Sequence, residues 1–124
     1  MKKALVFLSL FLVLVMTISF ASASILYTYT SSISASLSFG GSLAYCSGIV
    51  TPSGPYDATI TVRLYRQDGN NWIFVTSWSG SATGGDPAGA GGSISVSSGT
   101  YKVTSYGVIG GGLEYPTASI TKTK

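Results

Sequence analysis

The chain has 124 residues, with no histidine, one cysteine and only four carboxylate side chains. The missing histidine excludes Ser-His-Asp and Cys-His catalysis and removes the commonest zinc ligand, and four scattered carboxylates do not suggest a glycosidase pair. The glycine runs at residues 84–85 and 110–112 are not phosphate loops, because no Lys-Ser or Lys-Thr pair follows them. We therefore expect no enzymatic activity and no cofactor.

The N-terminal segment has the pattern of a secretory signal peptide. Lys2 and Lys3 provide a positive start, residues 4–20 form an apolar run, and small residues follow. The run is slightly short for a membrane-spanning helix, and no positive stop-transfer cluster comes after it. We expect cleavage after Ala23, with Ala21 as the alternative, and a secreted protein that is released from the membrane.

Removal of residues 1–23 leaves residues 24–124, which suffice for one domain and are too few for two. This part carries five lysines and arginines against four carboxylates, so its formal charge is only +1. Such a low charge predicts no nucleic-acid partner and no membrane partner after cleavage. A single cysteine excludes a disulfide within the chain. We expect Cys46 to be a buried apolar residue, with an intermolecular disulfide as the alternative.

The first two predicted strands form a hairpin around a pair of glycines. Apolar residues from Ile33 to Phe39 alternate with serines, and Gly40-Gly41 is the predicted turn. That turn would pair Phe39 with Ser42. It also gives the second strand an inward set of Ala44, Cys46, Gly48 and Val50.

A second predicted hairpin follows the proline-rich end of the second strand. The third strand covers residues 58–66, residues 68–71 form the turn, and the fourth strand covers residues 72–78. The third strand has Ile60, Val62 and Leu64 on one face. A four-residue loop would place Tyr65 opposite Phe74 and Leu64 opposite Val75.

Residues 80–92 are rich in Gly, Ser and Ala and are interpreted as a long flexible connection. A strand over residues 93–97, with Ile94 and Val96 inward, and a strand over residues 100–109 come next. Residues 110–112 are predicted to be a mobile loop before a last strand over residues 115–121, with Ala118 and Ile120 on its apolar face. Seven short alternating strands predict an all-β, seven-stranded antiparallel sandwich, with a small closed barrel as the alternative.

The segment Ser98-Gly99-Thr100-Tyr101-Lys102-Val103 resembles the turn into the sixth strand of immunoglobulin and fibronectin type III domains. The resemblance implies an immunoglobulin-like sandwich in which Tyr101 is the tyrosine of the tyrosine corner. It also implies that Val103 and Cys46 take about the positions of the two antibody cysteines. Ile60 or Val62 replaces the core tryptophan, so the chain is closer to the disulfide-free fibronectin type. The whole chain also resembles small exported proteins of unknown function from Gram-positive bacteria, a resemblance that does not point to any particular activity.

The candidate ligand-binding face is the outward side of the third and fourth strands. Strand alternation places the apolar residues of these two strands inward, namely Ile60, Val62, Leu64, Ile73 and Val75. The opposite, outward face then carries Arg63, Tyr65, Trp72, Phe74 and Trp78. Exposed aromatic rows often mark contact sites, and such rings suit sugar rings or a protein partner. The alternatives are cross-strand pairs that only stabilise the hairpin, or cover by residues 80–92.

Three carboxylates form a candidate metal site. The sandwich topology places the loops of Asp57, Asp86 and Glu114 at one end, where their oxygens could bind calcium. The alternative is that they are solvated loop acids, since no local ligand spacing supports a site.

Two function classes remain from the sequence. The first is a secreted, non-catalytic binding or adhesion module that recognises a carbohydrate polymer or a protein at a cell surface. The second is a self-assembling structural protein of the extracellular surface, because the low charge provides little repulsion between strand edges of neighbouring copies.

Overall fold

The structure is a computed structural model and describes residues 26–124, so the predicted leader and its cleavage site lie outside the described residues. Seven strands alternate with short turns in this part of the chain. They are β1 (Thr30–Gly40), β2 (Leu43–Pro52), β3 (Ala58–Asp68), β4 (Asn71–Ala82), β5 (Ala88–Ser95), β6 (Thr100–Ile109) and β7 (Thr117–Thr123). A search of these residues finds no helix long and apolar enough to cross a membrane.

The strands form two antiparallel sheets, one with the order β1-β2-β5 and the other with the order β4-β3-β6-β7. The predicted all-β class with seven strands in two antiparallel sheets is confirmed. β4 pairs with β3, so the outer surface of the larger sheet is built from the β3–β4 hairpin together with β6 and β7.

The core lies between the sheets and is built from alternate residues of five strands, β1, β2, β3, β5 and β6. Its buried apolar members are Leu37, Ala44, Cys46, Val50, Ala58, Ile60, Val62, Leu64, Ala88, Tyr101, Val103 and Ile109. Alternation puts every second side chain on the same face, so a strand in a two-layer fold needs only half of its residues to be apolar. Apart from the buried Thr30, Thr104 and Ser105, most serines and threonines of the strands are at least partly exposed to water, which explains how such a polar sequence encloses a core.

The register of the first hairpin differs from the predicted one. Phe39 pairs with Ala44, so the two-residue turn is Gly41-Ser42, with Gly41 at a φ of 60°. The turn therefore lies one residue later than the predicted pair of glycines. The inward set of β2 is unchanged, because the shift moves each pairing partner by two residues and side chains repeat with a period of two.

A β-bulge in β4 changes the second hairpin. Gln67 pairs with Trp72 and Tyr65 with Phe74 as predicted, but Leu64 pairs with Thr76, which leaves Val75 as the additional residue. An additional residue reverses the alternation for the rest of a strand. The predicted pairing of Leu64 with Val75 is wrong, and every β4 side chain after the bulge lies on the face opposite to the one expected.

The predicted flexible connection over residues 80–92 is also wrong. β4 continues to Ala82 and β5 begins at Ala88, so only residues 83–87 connect them. The small residues allow close packing here. A Cβ added to Gly80 would collide with the carbonyl oxygen of Gly89, and one added to Gly92 would collide with the indole nitrogen of Trp78. Composition alone does not separate glycines that permit such packing from glycines of a linker.

The β6–β7 connection is a hydrogen-bonded turn. The amides of Gly112 and Leu113 donate to the carbonyl of Ile109 at 3.2 and 2.9 Å, and the amide of Gly110 donates to the carbonyl of Asp57 at 2.8 Å. β7 consequently begins at Thr117 rather than at residue 115.

Candidate functional site

The outer surface of the larger sheet carries a group of aromatic and cationic side chains. Four of the five predicted face residues, Arg63, Tyr65, Trp72 and Phe74, lie there by strand register. β6 adds two more, because Lys102 pairs with Tyr65, and Tyr106 pairs with Thr61 on the same side of β3. We call these six residues the cation–aromatic face: Arg63, Tyr65, Trp72, Phe74, Lys102 and Tyr106.

Both cations of this face lie over aromatic rings. The Lys102 Nζ atom is 4.5 Å from the centroid of the Trp72 ring and 5.4 Å from that of Tyr65. The guanidinium carbon of Arg63 is 4.9 Å from the centroid of the Tyr106 ring. Each such contact attracts the cation to the negative face of the ring and holds a long side chain in a preferred position.

The rings also contact each other and remain accessible to solvent. Tyr65 and Phe74 pack edge to face, with centroids 6.1 Å apart at an interplanar angle of 71°. Phe74 is 55% exposed and Tyr106 is 37% exposed, whereas Tyr65 and Trp72 are half-buried. A hydrogen bond with the Tyr65 hydroxyl and partial burial raise the pKa of Tyr106. The positive charge of Arg63 acts in the opposite direction but does not cancel this rise. Tyr106 therefore stays neutral at physiological pH, and its hydroxyl can donate a hydrogen bond.

Trp78 does not belong to this face. It pairs with Val62, on the inner side of β3, and its half-buried ring packs against the core cluster. Its placement among the outward aromatics is a wrong prediction with a specific cause, the bulge between Trp72 and Trp78. Ile73 was predicted to point inward and is 50% exposed, since it lies beside the turn of the β3–β4 hairpin, at the end of the sheet.

Lys102 and Tyr106 are members of this face that were not predicted from the sequence. Strand alternation predicts their outward direction, because inward-facing Tyr101 and Val103 require Lys102, Thr104 and Tyr106 to point outward. What the sequence does not show is the pairing of β6 with β3, which brings residues about 40 positions apart in sequence onto one surface.

The three carboxylates of the candidate metal site do not form a cluster. No group of three or more potential ligands is close enough to hold a metal ion among residues 26–124. Asp57 accepts a hydrogen bond from the amide of Gly84 at 3.1 Å, and Glu114 accepts from the amides of Thr28 and Tyr29 at 2.8 and 2.9 Å. These acids stabilise loop backbone, and the predicted convergence of Asp57, Asp86 and Glu114 is wrong.

The Glu114 carboxylate fixes the segment before β1 against the β6–β7 connection. Slight desolvation opposes its ionisation, but the adjacent Thr30 hydroxyl and the amides of Thr28 and Tyr29 favour it, so the pKa of Glu114 is below its usual range. The Thr30 hydroxyl is otherwise buried without a hydrogen bond of good geometry. Ionised Glu114 therefore satisfies the backbone amides of Thr28 and Tyr29.

We expect Glu114→Gln to lower the melting temperature at pH 7 and to lower it less at pH 3. A carboxyl with a lowered folded-state pKa contributes stability above its unfolded-state pKa, about 4.3, and loses that contribution as the pH falls through the folded-state value. Thermal unfolding of both proteins between pH 7 and pH 3 measures this difference. A gap in melting temperature that stays constant over this range would show that the ionised carboxylate is not responsible.

Cys46 is buried in the core with 3% of its surface exposed, in agreement with the expected buried residue. Burial raises the pKa of its thiol to about 11, so the reactive thiolate is scarce at neutral pH. An intermolecular disulfide would require the core to open.

The comparisons with known proteins show no family for this chain. No family model and no curated protein matches it. Among solved structures, it is similar to wild-type OgpA from Akkermansia muciniphila, with 14% identity, a TM-score of 0.46, and coverage of 82% of this chain and 30% of that one. It is also similar to Spo0M, a sporulation control protein from Bacillus subtilis, with 12% identity, a TM-score of 0.39, and coverage of 78% and 49%. The chain thus spans less than half of either protein. Both scores are below 0.5, so neither similarity bears on its function.

Proposed function

We propose that this protein is an exported, non-catalytic binding or adhesion module that recognises a polymer or protein at a cell surface through the cation–aromatic face. The observation that supports this proposal is the position of the six side chains on the outer surface of a sheet whose other face already packs on the core. Phe74, 55% exposed, and Tyr106, 37% exposed, are not required to fill the interior. Large exposed aromatics grouped on one surface are typical of contact sites.

We further infer that the domain is an immunoglobulin-like sandwich of the fibronectin type. Tyr101 is buried at the start of β6, and its hydroxyl donates a hydrogen bond of 2.8 Å to the carbonyl of Ser97, four residues upstream. This contact has the geometry of a tyrosine corner. Val103, two residues later, is fully buried, at the position where an antibody domain has its second cysteine.

The test is a binding assay on cell-wall polymers and a glycan array with the protein produced from the full-length sequence. We expect Trp72→Ala/Phe74→Ala to reduce retention at least tenfold, because each stacking ring contributes about 1 kcal/mol or more to binding. Both side chains lie on the outer surface, so the variant should keep its β-sheet circular dichroism spectrum and a cooperative unfolding transition.

The matched control is Tyr45→Ala. Tyr45 is 47% exposed on the smaller sheet, so its removal deletes an exposed aromatic of similar size elsewhere on the surface. Equal loss in both variants, or unchanged binding in the Trp72→Ala/Phe74→Ala protein, would exclude the cation–aromatic face as the binding site.

A second candidate function is self-assembly through the smaller sheet. β1, β2 and β5 contain no charged residue, and β1 and β5 are the edge strands of that sheet. Charged side chains, especially lysines, are a common means by which proteins protect edge strands from pairing with other chains. Size-exclusion chromatography over a wide concentration range separates the two functions, since a protein that stays monomeric at the highest concentration is not a self-assembling one.

A further inference from the structure

We propose that the ligand of the cation–aromatic face is an acidic polysaccharide, a linear sugar polymer that carries carboxylate, sulfate or phosphate groups. This inference rests on the proposed binding function and specifies the chemical class of the ligand. Four features of the described residues support it: the charges on the face, the positions of the acidic residues, the shape of the face, and the groups around its rings.

The face carries two positive charges on its two central strands. Arg63 on β3 pairs with Thr104, and Lys102 on β6 pairs with Tyr65. Strand geometry therefore places the Cα atoms of Arg63 and Lys102 about 8 Å apart, one strand across and two residues along. The Arg63 guanidinium lies over Tyr106 and the Lys102 Nζ atom over Trp72 and Tyr65, so the two charges are held at different rings. Two charges held apart in this way fit negative groups that repeat along a chain better than they fit a single small anion.

The acidic residues of the described chain all lie away from this face. Asp57, Asp86 and Glu114 are in connections between strands, where Asp57 and Glu114 bind backbone amides. Asp68 ends β3 on the side of Leu64, opposite to Tyr65. Although the chain is nearly neutral after residue 23, the face itself has a formal charge of +2. This local excess attracts anions and is not offset by carboxylates on the same surface.

The shape of the face favours a narrow polymer over a folded protein. From Trp72 to Tyr106 the face covers three strands and about six residue positions along β3, a strip about 10 Å wide and about 20 Å long. Its projected area is on the order of 200 Å², far below the roughly 800 Å² that each partner buries in a stable protein interface. A linear chain can bind to such a strip and continue beyond it.

The groups around the rings are suited to sugars. Hydroxyl side chains border the face on both sides: Ser77 and Ser79 on β4, and Thr117, Ser119 and Thr121 on β7. Hydroxyls both donate and accept hydrogen bonds, as sugar hydroxyls require, while Phe74 and Tyr106 offer exposed ring surface to the apolar faces of sugars. Nucleic acid fits less well, because only two cations are available to neutralise phosphates.

Affinity electrophoresis with matched polymers tests the proposal. The probes are polygalacturonate and its fully methyl-esterified form, and chondroitin sulfate and its desulfated form, together with neutral glycans, an acidic peptide and single-stranded DNA. We expect the protein to bind an acidic polymer at least about tenfold more tightly than its uncharged or less charged counterpart. The preference should weaken from about 0.05 to about 0.5 M salt, because salt screens exposed charges.

The Arg63→Gln/Lys102→Gln variant is expected to lose this preference, with about tenfold weaker binding to the acidic polymer. Lys122→Gln is a charge control, because its side chain points away from the face that carries Thr121 and Lys102, and it should bind within about twofold of the unchanged protein. If Lys122→Gln bound the acidic polymer as weakly as the double variant does, the loss would be an effect of net charge, and this result would contradict the proposal.

The remaining outcomes separate this inference from the proposed function. Binding to charged and uncharged polymers with equal strength overturns the acidic ligand and leaves a binding module intact. Stronger binding to the acidic peptide or to DNA than to any polysaccharide overturns the ligand class. Failure to bind every probe, charged or neutral, removes the proposed binding function and this inference with it.

Discussion

Gly48→Ala is expected to lower the free energy of unfolding by roughly 2–4 kcal/mol, because the added methyl group has no room in the core. Gly48 is buried on the inner side of β2. A Cβ at this position would overlap the Ser105 Oγ atom and lie 2.9 Å from a Val62 methyl group and 3.0 Å from the Ser34 carbonyl oxygen. The buried Ser105 hydroxyl donates to that same carbonyl at 2.8 Å, so the methyl group both overpacks the core and breaks a buried hydrogen bond.

Urea or thermal unfolding followed by circular dichroism measures the effect, and a drop of more than about 10 °C in melting temperature is expected for a domain of this size. Gly89→Ala is the matched control. Gly89 pairs with Ile49, next to Gly48, and its added Cβ would meet only atoms at the ordinary distance of 3.7 Å. Alanine at position 89 should be neutral or slightly stabilising. Similar melting temperatures for the two variants would contradict the described packing between β2 and β6.

The second large effect is expected at Trp78, which the structure moves from the predicted binding face to the core. Trp78→Ala should cost about 2–4 kcal/mol, because it removes a large ring packed against the core cluster and leaves a cavity beside Gly92. Trp72→Ala should cost less than about 1 kcal/mol, since it mainly removes a cation–π contact with Lys102 near the surface.

Denaturant unfolding of Trp78→Ala, Trp78→Phe and Trp72→Ala gives the comparison. Phenylalanine retains much of the packing, so Trp78→Phe should fall between the unchanged protein and Trp78→Ala. The binding assay on the same proteins should give the reverse order, with retention reduced in Trp72→Ala and kept by folded Trp78→Phe. A Trp72 variant less stable than the Trp78 variant would mean that the β4 bulge is misplaced.

The site could be predicted in part because its strands have a strict alternation. Three apolar residues at alternate positions of β3 fix Arg63 and Tyr65 on the outer surface, and the turn at residues 68–71 fixes Trp72 and Phe74 beside them. The same reasoning fails beyond Val75, because a bulge has no signature in this sequence and a single inserted residue exchanges the two faces. Lys102 and Tyr106 were missed because strand pairing between distant segments is a tertiary property.

The sequence by itself determined the all-β class, the seven strands in two antiparallel sheets, and the inward residues of β2 and β3. Each follows from composition or from a two-residue period, which are local properties. The tertiary structure alone decided the register of the first hairpin, the role of residues 80–92 and the membership of the cation–aromatic face. These depend on how closely two backbones approach and on which strands become neighbours, and both are set by packing between residues far apart in the chain.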